Sequence, residues 1–141
     1  MKKIILLIMV LFICVLSVNA DNWMEYGKNR YAEMSSIKEF KFYGRPNTYS
    51  VWTRRYNDGS NLFKVSEKNT GEKIKYFLIW DLYDCNNKES AIKDFYIFNT
   101  VEKIIFKSTE QIRPVEWEPV AEGSATEELY NRICKKTTNS K

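Results

Sequence analysis

Two cysteines, Cys85 and Cys134, are the side chains of this sequence best placed to make a covalent bond; a third, Cys14, lies in an N-terminal apolar run. Histidine is absent from all 141 residues. Its absence removes Ser-His-Asp and Cys-His nucleophile activation and every imidazole metal ligand. It also removes the imidazole that catalytic cysteines usually need nearby to generate thiolate. The five glycines are scattered singly, so no phosphate-cradling loop exists. Carboxylates remain for acid–base work, as Asp81 with Asp84 or Glu116 with Glu118. Strand positions three apart face opposite ways, which separates Asp81 from Asp84. Glu116 and Glu118 share a face, but they flank Trp117 between Pro114 and Pro119, in what reads as a loop. No acidic loop is dense enough for an oxygen-ligated cation. The expectation is no catalytic residue, no metal and no cofactor.

Basic clusters interleaved with aromatics occur at Arg54-Arg55-Tyr56 and around Lys73, Lys75 and Tyr76. A net charge of +4, from 22 basic and 18 acidic residues, invites a nucleic-acid reading. That charge includes Lys2 and Lys3, and without them 20 basic residues face 18 acidic ones. The clusters read instead as solvated strand edges, and nucleic acid is not an expected partner.

Lys2 and Lys3 open an export signal. An apolar run from Ile4 to Leu16 follows them, and Ser17-Val18-Asn19-Ala20 supplies small or short residues for a cut after Ala20. The run is shorter than the roughly 20 residues that a spanning helix needs, so no membrane span is expected after cleavage. The alternatives are an uncleaved membrane anchor, for which the run is short, and lipidation of Cys14, against which bulky Ile13 argues. The reading is residues 1–20 as signal peptide and 21–141 as one domain, delivered to the periplasm or the outer cell surface. An oxidising compartment turns the two remaining cysteines into an expected disulfide, Cys85 to Cys134.

The elements that must position these groups are mainly strands. Nine tyrosines, four tryptophans and eight phenylalanines accompany Ile, Val and Thr, with turn signals at short intervals. Candidate strands are Trp23–Gly27, Arg30–Glu33, Tyr49–Arg55, Leu62–Ser66, Ile74–Asp84, Ser90–Asn99 and Val101–Lys107. Asp58-Gly59 reads as a hairpin turn between two of them. The run Lys75–Cys85 is apolar on both faces, as a central strand is. Short spacing favours antiparallel neighbours. Near the C-terminus, Ser124 and Glu127 have the spacing of a capping box, and Ala125, Leu129, Tyr130, Ile133 and Cys134 share one helical face. That face brings Cys134 inward, towards the strand ending at Cys85. The fold expected is α+β, a single antiparallel sheet with a C-terminal helix disulfide-linked to it.

The aromatic excess serves a core or a protein-binding face, and Tyr26, Tyr31, Trp52, Tyr56 and Tyr83 are the candidates for exposure.

The ordered set Trp23, Tyr31-Ala32-Glu33-Met34-Ser35-Ser36-Ile37-Lys38, Val51-Trp52, Asp84-Cys85 and Trp117 resembles the surface-adhesin protein E family. Gly123-Ser124, Glu127-Glu128-Leu129-Tyr130 and Cys134 continue it, whereas Asn57 to Lys73 has no counterpart. Glu33 stands where the family commonly shows aspartate, and Glu122 where proline often precedes Gly-Ser. The resemblance implies about six antiparallel strands, exposure at a bacterial surface, and adhesion to laminin, vitronectin or plasminogen. No family binding segment maps onto these residues. The functional expectation is a non-enzymatic binding module for another protein. The alternatives are a periplasmic inhibitor or immunity-type protein and, third, a carboxylate-dependent hydrolase. A homodimer is a further option.

Overall fold

A computed structural model describes residues 22–110 and 114–138. The expected signal segment 1–20, with Cys14, lies outside the described residues. Among the described residues eight strands form one sheet: β1 (Trp23–Gly27), β2 (Arg30–Glu33), β3 (Lys38–Glu39), β4 (Thr48–Tyr56), β5 (Ile74–Asp84), β6 (Glu89–Asn99), β7 (Ile104–Lys107) and β8 (Trp117–Pro119). The order is β1-β2-β4-β5-β6-β7. Strand β3 continues the β2 position along β4, and β8 continues the β7 position along β6, so eight strands occupy six ranks. All pairings are antiparallel. Strand β5 is central, as its two apolar faces require.

Two helices lie on one face of the sheet, α1 (Asn61–Thr70) and α2 (Ala125–Thr138). Under α2, Leu129 and Ile133 pack on Ala32, Val51 and Tyr83. Each of these two aliphatic side chains is fully buried, which stabilises the fold by about 1.5–3 kcal/mol apiece. Under α1, Phe63 packs on Ile74, Phe77 and Ile97 in a second cluster.

Helix α2 is held at both ends. Ser124 Oγ accepts the Glu127 N–H at 3.1 Å, and Glu127 Oε2 accepts the Gly123 N–H at 2.8 Å. Such bonds satisfy amides that a helix start otherwise leaves orphaned. Further along, Cys134 is disulfide-bonded to Cys85 at the end of β5, with 5.5 Å between the Cα atoms. Tyr130 donates its hydroxyl proton to the Cys85 carbonyl at 3.1 Å beside that bond.

Three expectations are corrected. Leu62–Ser66 is not a strand but part of α1. Helical spacing turns Phe63 inward and leaves Leu62 and Val65 exposed, where strand alternation would have put Phe63 and Val65 together. Gly71, in the left-handed region at φ 71°, ends the helix and donates to the Glu67 carbonyl. Asp58-Gly59 therefore makes no hairpin. Asn57 Oδ1 accepts the Gly59 N–H and Asp58 Oδ1 the Ser60 N–H, and these side-chain turns lead the chain into the helix. Third, Val101 and Glu102 belong to the turn before β7, where Asn99 Oδ1 accepts the N–H groups of Val101 and Lys103.

Candidate functional site

Among the described residues no helix covers the sheet face opposite α1 and α2, and that face is paved with aromatic rings. Cross-strand pairing sets the pavement. Trp52 lies opposite Trp80, and their rings stack at 5.5 Å. Tyr56 lies opposite Tyr76, and Tyr76 opposite Phe98, with ring centroids 5.3 and 4.7 Å apart. Such ring pairs contribute roughly 0.5–1.5 kcal/mol each beyond the area they bury. Arg54 sits among them, its guanidinium 4.1 Å from the Trp23 ring centroid and 5.4 Å from that of Tyr76. Its Nε is buried and finds no acceptor.

A loop frames one end of this pavement. Phe40 meets Trp80 edge-on at 5.6 Å, and Phe42 meets Trp117 edge-on at 5.4 Å. Phe42 then bridges to Arg45 in a tight turn, with Gly44 at φ 73°, and the turn holds Tyr43 wholly in solvent. Arg45 anchors the loop from below. It lies 4.3 Å over the Trp117 ring, and it pairs with Glu89 and, at 2.9 Å, with Asp84. Asp84 is fully buried and also accepts from Asn86 N, Asn87 N and Asn87 Nδ2. Burial pushes its pKa up, but the Asn87 amide, the Arg45 guanidinium and the turn N–H groups outweigh that and hold it below the usual carboxylate value.

The helical face carries a different site. Between α1 and α2 the sheet floor is left open as a cleft of about 400 Å³. Tyr26, Arg30, Arg55 and Asp81 line it, with Glu116 and Glu118 at its β8 side. Asp81 accepts the Thr53 hydroxyl at 2.6 Å, and the Tyr26 phenol also meets Thr53. Desolvation raises the Asp81 pKa to about 6, against the lowering effect of Thr53 and Arg30. Burial likewise pushes Tyr26 up to about 12, with the Asp81 charge adding to it.

Asp81 and Asp84 fall on opposite faces: Asp81 lines the cleft, whereas Asp84 anchors the loop. Glu116 and Glu118 do not form the expected loop pair but border the cleft, because Trp117–Pro119 pairs with β6. Lys73 and Lys75 are paired with Glu67 and Glu102, at 3.1 and 2.6 Å. Of the aromatics considered for exposure, Tyr31, Trp52 and Tyr56 are half-buried on the open face, Tyr26 lines the cleft and Tyr83 is core. Tyr43, fully exposed, escaped notice; the adjacent Gly44-Arg45-Pro46-Asn47 turn signal was the clue available for it. Among the described residues no group of three or more histidine, cysteine or acidic side chains is placed to hold a metal ion, and no helix is long and apolar enough to cross a membrane.

No family model matches the sequence, and no curated protein matches it either. Solved structures do. One structure of protein E from Haemophilus influenzae aligns over 89% of this chain and 92% of its own, with a TM-score of 0.56 at 10% identity. Protein E from non-typeable Haemophilus influenzae aligns over 89% and 82%, with a TM-score of 0.58 at 11% identity. A second crystal form of protein E covers 85% and 91%, at TM-score 0.55 and 10% identity. What the chain shares with these proteins, at such identity, is the fold.

Proposed function

We propose that this protein is an exported, non-enzymatic binding module that docks another protein on its open aromatic sheet face. The observation that carries the reading is that face itself: a continuous array of tryptophan, tyrosine and arginine with both helices on the other side. These are the residue types that concentrate binding energy at protein interfaces. Cross-strand stacking holds them rigid, so little side-chain freedom is lost on docking. Tyr43, held out at the loop tip, adds an anchor beside the face. The shared fold with protein E supports matrix or serum proteins as the first partners to try. Delivery is to the periplasm or outer surface, with an N-terminus at Asp21 after signal cleavage; mass spectrometry of the exported protein reads that directly.

The test is surface binding of the oxidised protein to laminin, vitronectin and plasminogen, alongside bacterial envelope fractions. Binding to a matrix or serum protein that Tyr43→Ala and Arg54→Glu weaken supports the adhesin-like reading. Binding confined to an envelope protein turns it towards the inhibitor or immunity type. Unaltered binding by both variants removes the open face as the site. Light scattering during the same runs shows whether a second copy takes that face first.

A hydrolase is favoured by one observation, the raised pKa of Asp81 in a cleft that also holds Glu116 and Glu118. Turnover of a glycan substrate that Asp81→Asn abolishes would establish it.

A further inference from the structure

The cleft on the helical face has chemistry that the binding reading does not use. Arg30 and Arg55 are directly opposite each other in the β2–β4 pairing, so both project into it. Like charges directly opposite on a sheet are unfavourable unless something compensates them. The compensation present is small. Asp58 takes one Arg55 amino group at 3.4 Å and the Phe63 ring centroid lies 5.8 Å from its guanidinium, while the Arg55 Nε is buried with no acceptor. Asp81 on the floor accepts from Thr53 and meets Arg30 only through its field. Two guanidinium groups thus face one cavity with donor capacity left over, the arrangement that a carboxylate satisfies bidentately.

The cleft does not end at Arg55. An open groove of about 330 Å³ continues from it beneath α1, sharing Arg55, Ile79 and Ile92 as common walls. Its other walls include Leu62, Phe77, Ile97 and Phe106. Both volumes fall in the range of small-ligand sites, which pair apolar walls with a few convergent polar groups. Charge also orients an occupant. Glu116 and Glu118 border the side away from α1, which repels an anion there and leaves the arginine end to receive it.

We propose that the trough between the two helices is a small-molecule site for a carboxylate-bearing amphiphile, its head on Arg30 and Arg55 and its apolar body in the groove beneath α1. The ligand chemistry is that of a medium-chain fatty acid. The site lies on the opposite side of the sheet from the aromatic face, so protein docking and amphiphile binding are independent.

Sodium decanoate is the probe, titrated into the oxidised protein and followed by amide chemical shifts, with 1-decanol and decyltrimethylammonium in parallel. The expected result is saturable one-site decanoate binding, with shifts centred on Leu62, Phe77 and Ile79. Binding should be about tenfold weaker for Arg55→Gln and for Arg30→Gln, and similarly weaker for decanol, the scale of one lost charge-assisted contact. Leu62→Gln, at an exposed position that leaves the fold intact, should also weaken decanoate. Equal affinity for decanol or the cationic amphiphile would overturn the proposal. So would shifts centred on the open face, or no saturable binding at millimolar decanoate.

Discussion

Gly27 on β1 and Ala125 at the start of α2 touch so closely that a Cβ on Gly27 would stand 2.6 Å from the Cβ of Ala125. Real carbon atoms do not approach that far, so this glycine is required by space rather than by its backbone angles. The helix cannot yield by sliding away. Its other end is fixed by the Cys85–Cys134 bond and by the Tyr130 hydroxyl on the Cys85 carbonyl. Gly27→Ala is therefore expected to destabilise the fold by about 1–3 kcal/mol, the range of overpacking. Adding Ala125→Gly should recover most of the loss, because it removes the atom that is struck. Urea unfolding of the two single variants and the double measures the coupling.

The disulfide joins residues 49 apart in sequence. A closed loop of that size stabilises by about 4 kcal/mol on the chain-entropy estimate. Replacing both cysteines by serine should lower the unfolding free energy by that order. Amides of α2 should lose exchange protection before those of β5 and β6, since α2 contributes Leu129 and Ile133 to one core cluster and the second cluster needs neither.

Asp84→Ala should be among the costlier single changes. It would strip a buried carboxylate from Arg45 and three turn donors at once. A loss of about 3 kcal/mol is expected, the lower end for breaking a buried pair from one side. The native pKa of this group is depressed, so its contribution is complete above the unfolded carboxylate value of about 4 and fades as pH falls through the native one. The stability gap between wild type and Asp84→Asn should accordingly narrow below about pH 4, read from urea midpoints across pH.

The parts of the fold legible in the sequence are those set by local pattern. The run around β5 declares itself central by being apolar on both faces, and Gly123-Ser124 with Glu127 declares the start of α2. Helix α1 was not legible, because Phe63 and Val65 favour strand locally. The decision rests with Gly71 and with packing of Phe63 on Phe77, 4.7 Å ring to ring. The cleft was hidden for a different reason. Arg54 and Arg55 read as one basic cluster, yet strand alternation sends Arg54 to the aromatic face and Arg55 to the helical one. Arg30 reaches Arg55 only through the β2–β4 register, which no local pattern announces.

Asp81 gives the fold a pH dependence opposite in sign to that of Asp84. Its pKa rises to about 6 in the folded protein, mainly by desolvation, against about 4 in an unfolded chain. Between those values the native state binds more protons than the unfolded one, so the stability contribution is greatest below about pH 4 and is lost as pH rises through 6. The full difference corresponds to roughly 3 kcal/mol. Asp81→Asn carries no charge to desolvate and still presents an oxygen to the Thr53 hydroxyl. Relative to wild type it should gain stability steadily from pH 4 to pH 7 and then level off. Urea unfolding of both proteins at half-unit intervals would show that curve, and a flat difference would place the Asp81 carboxylate in water.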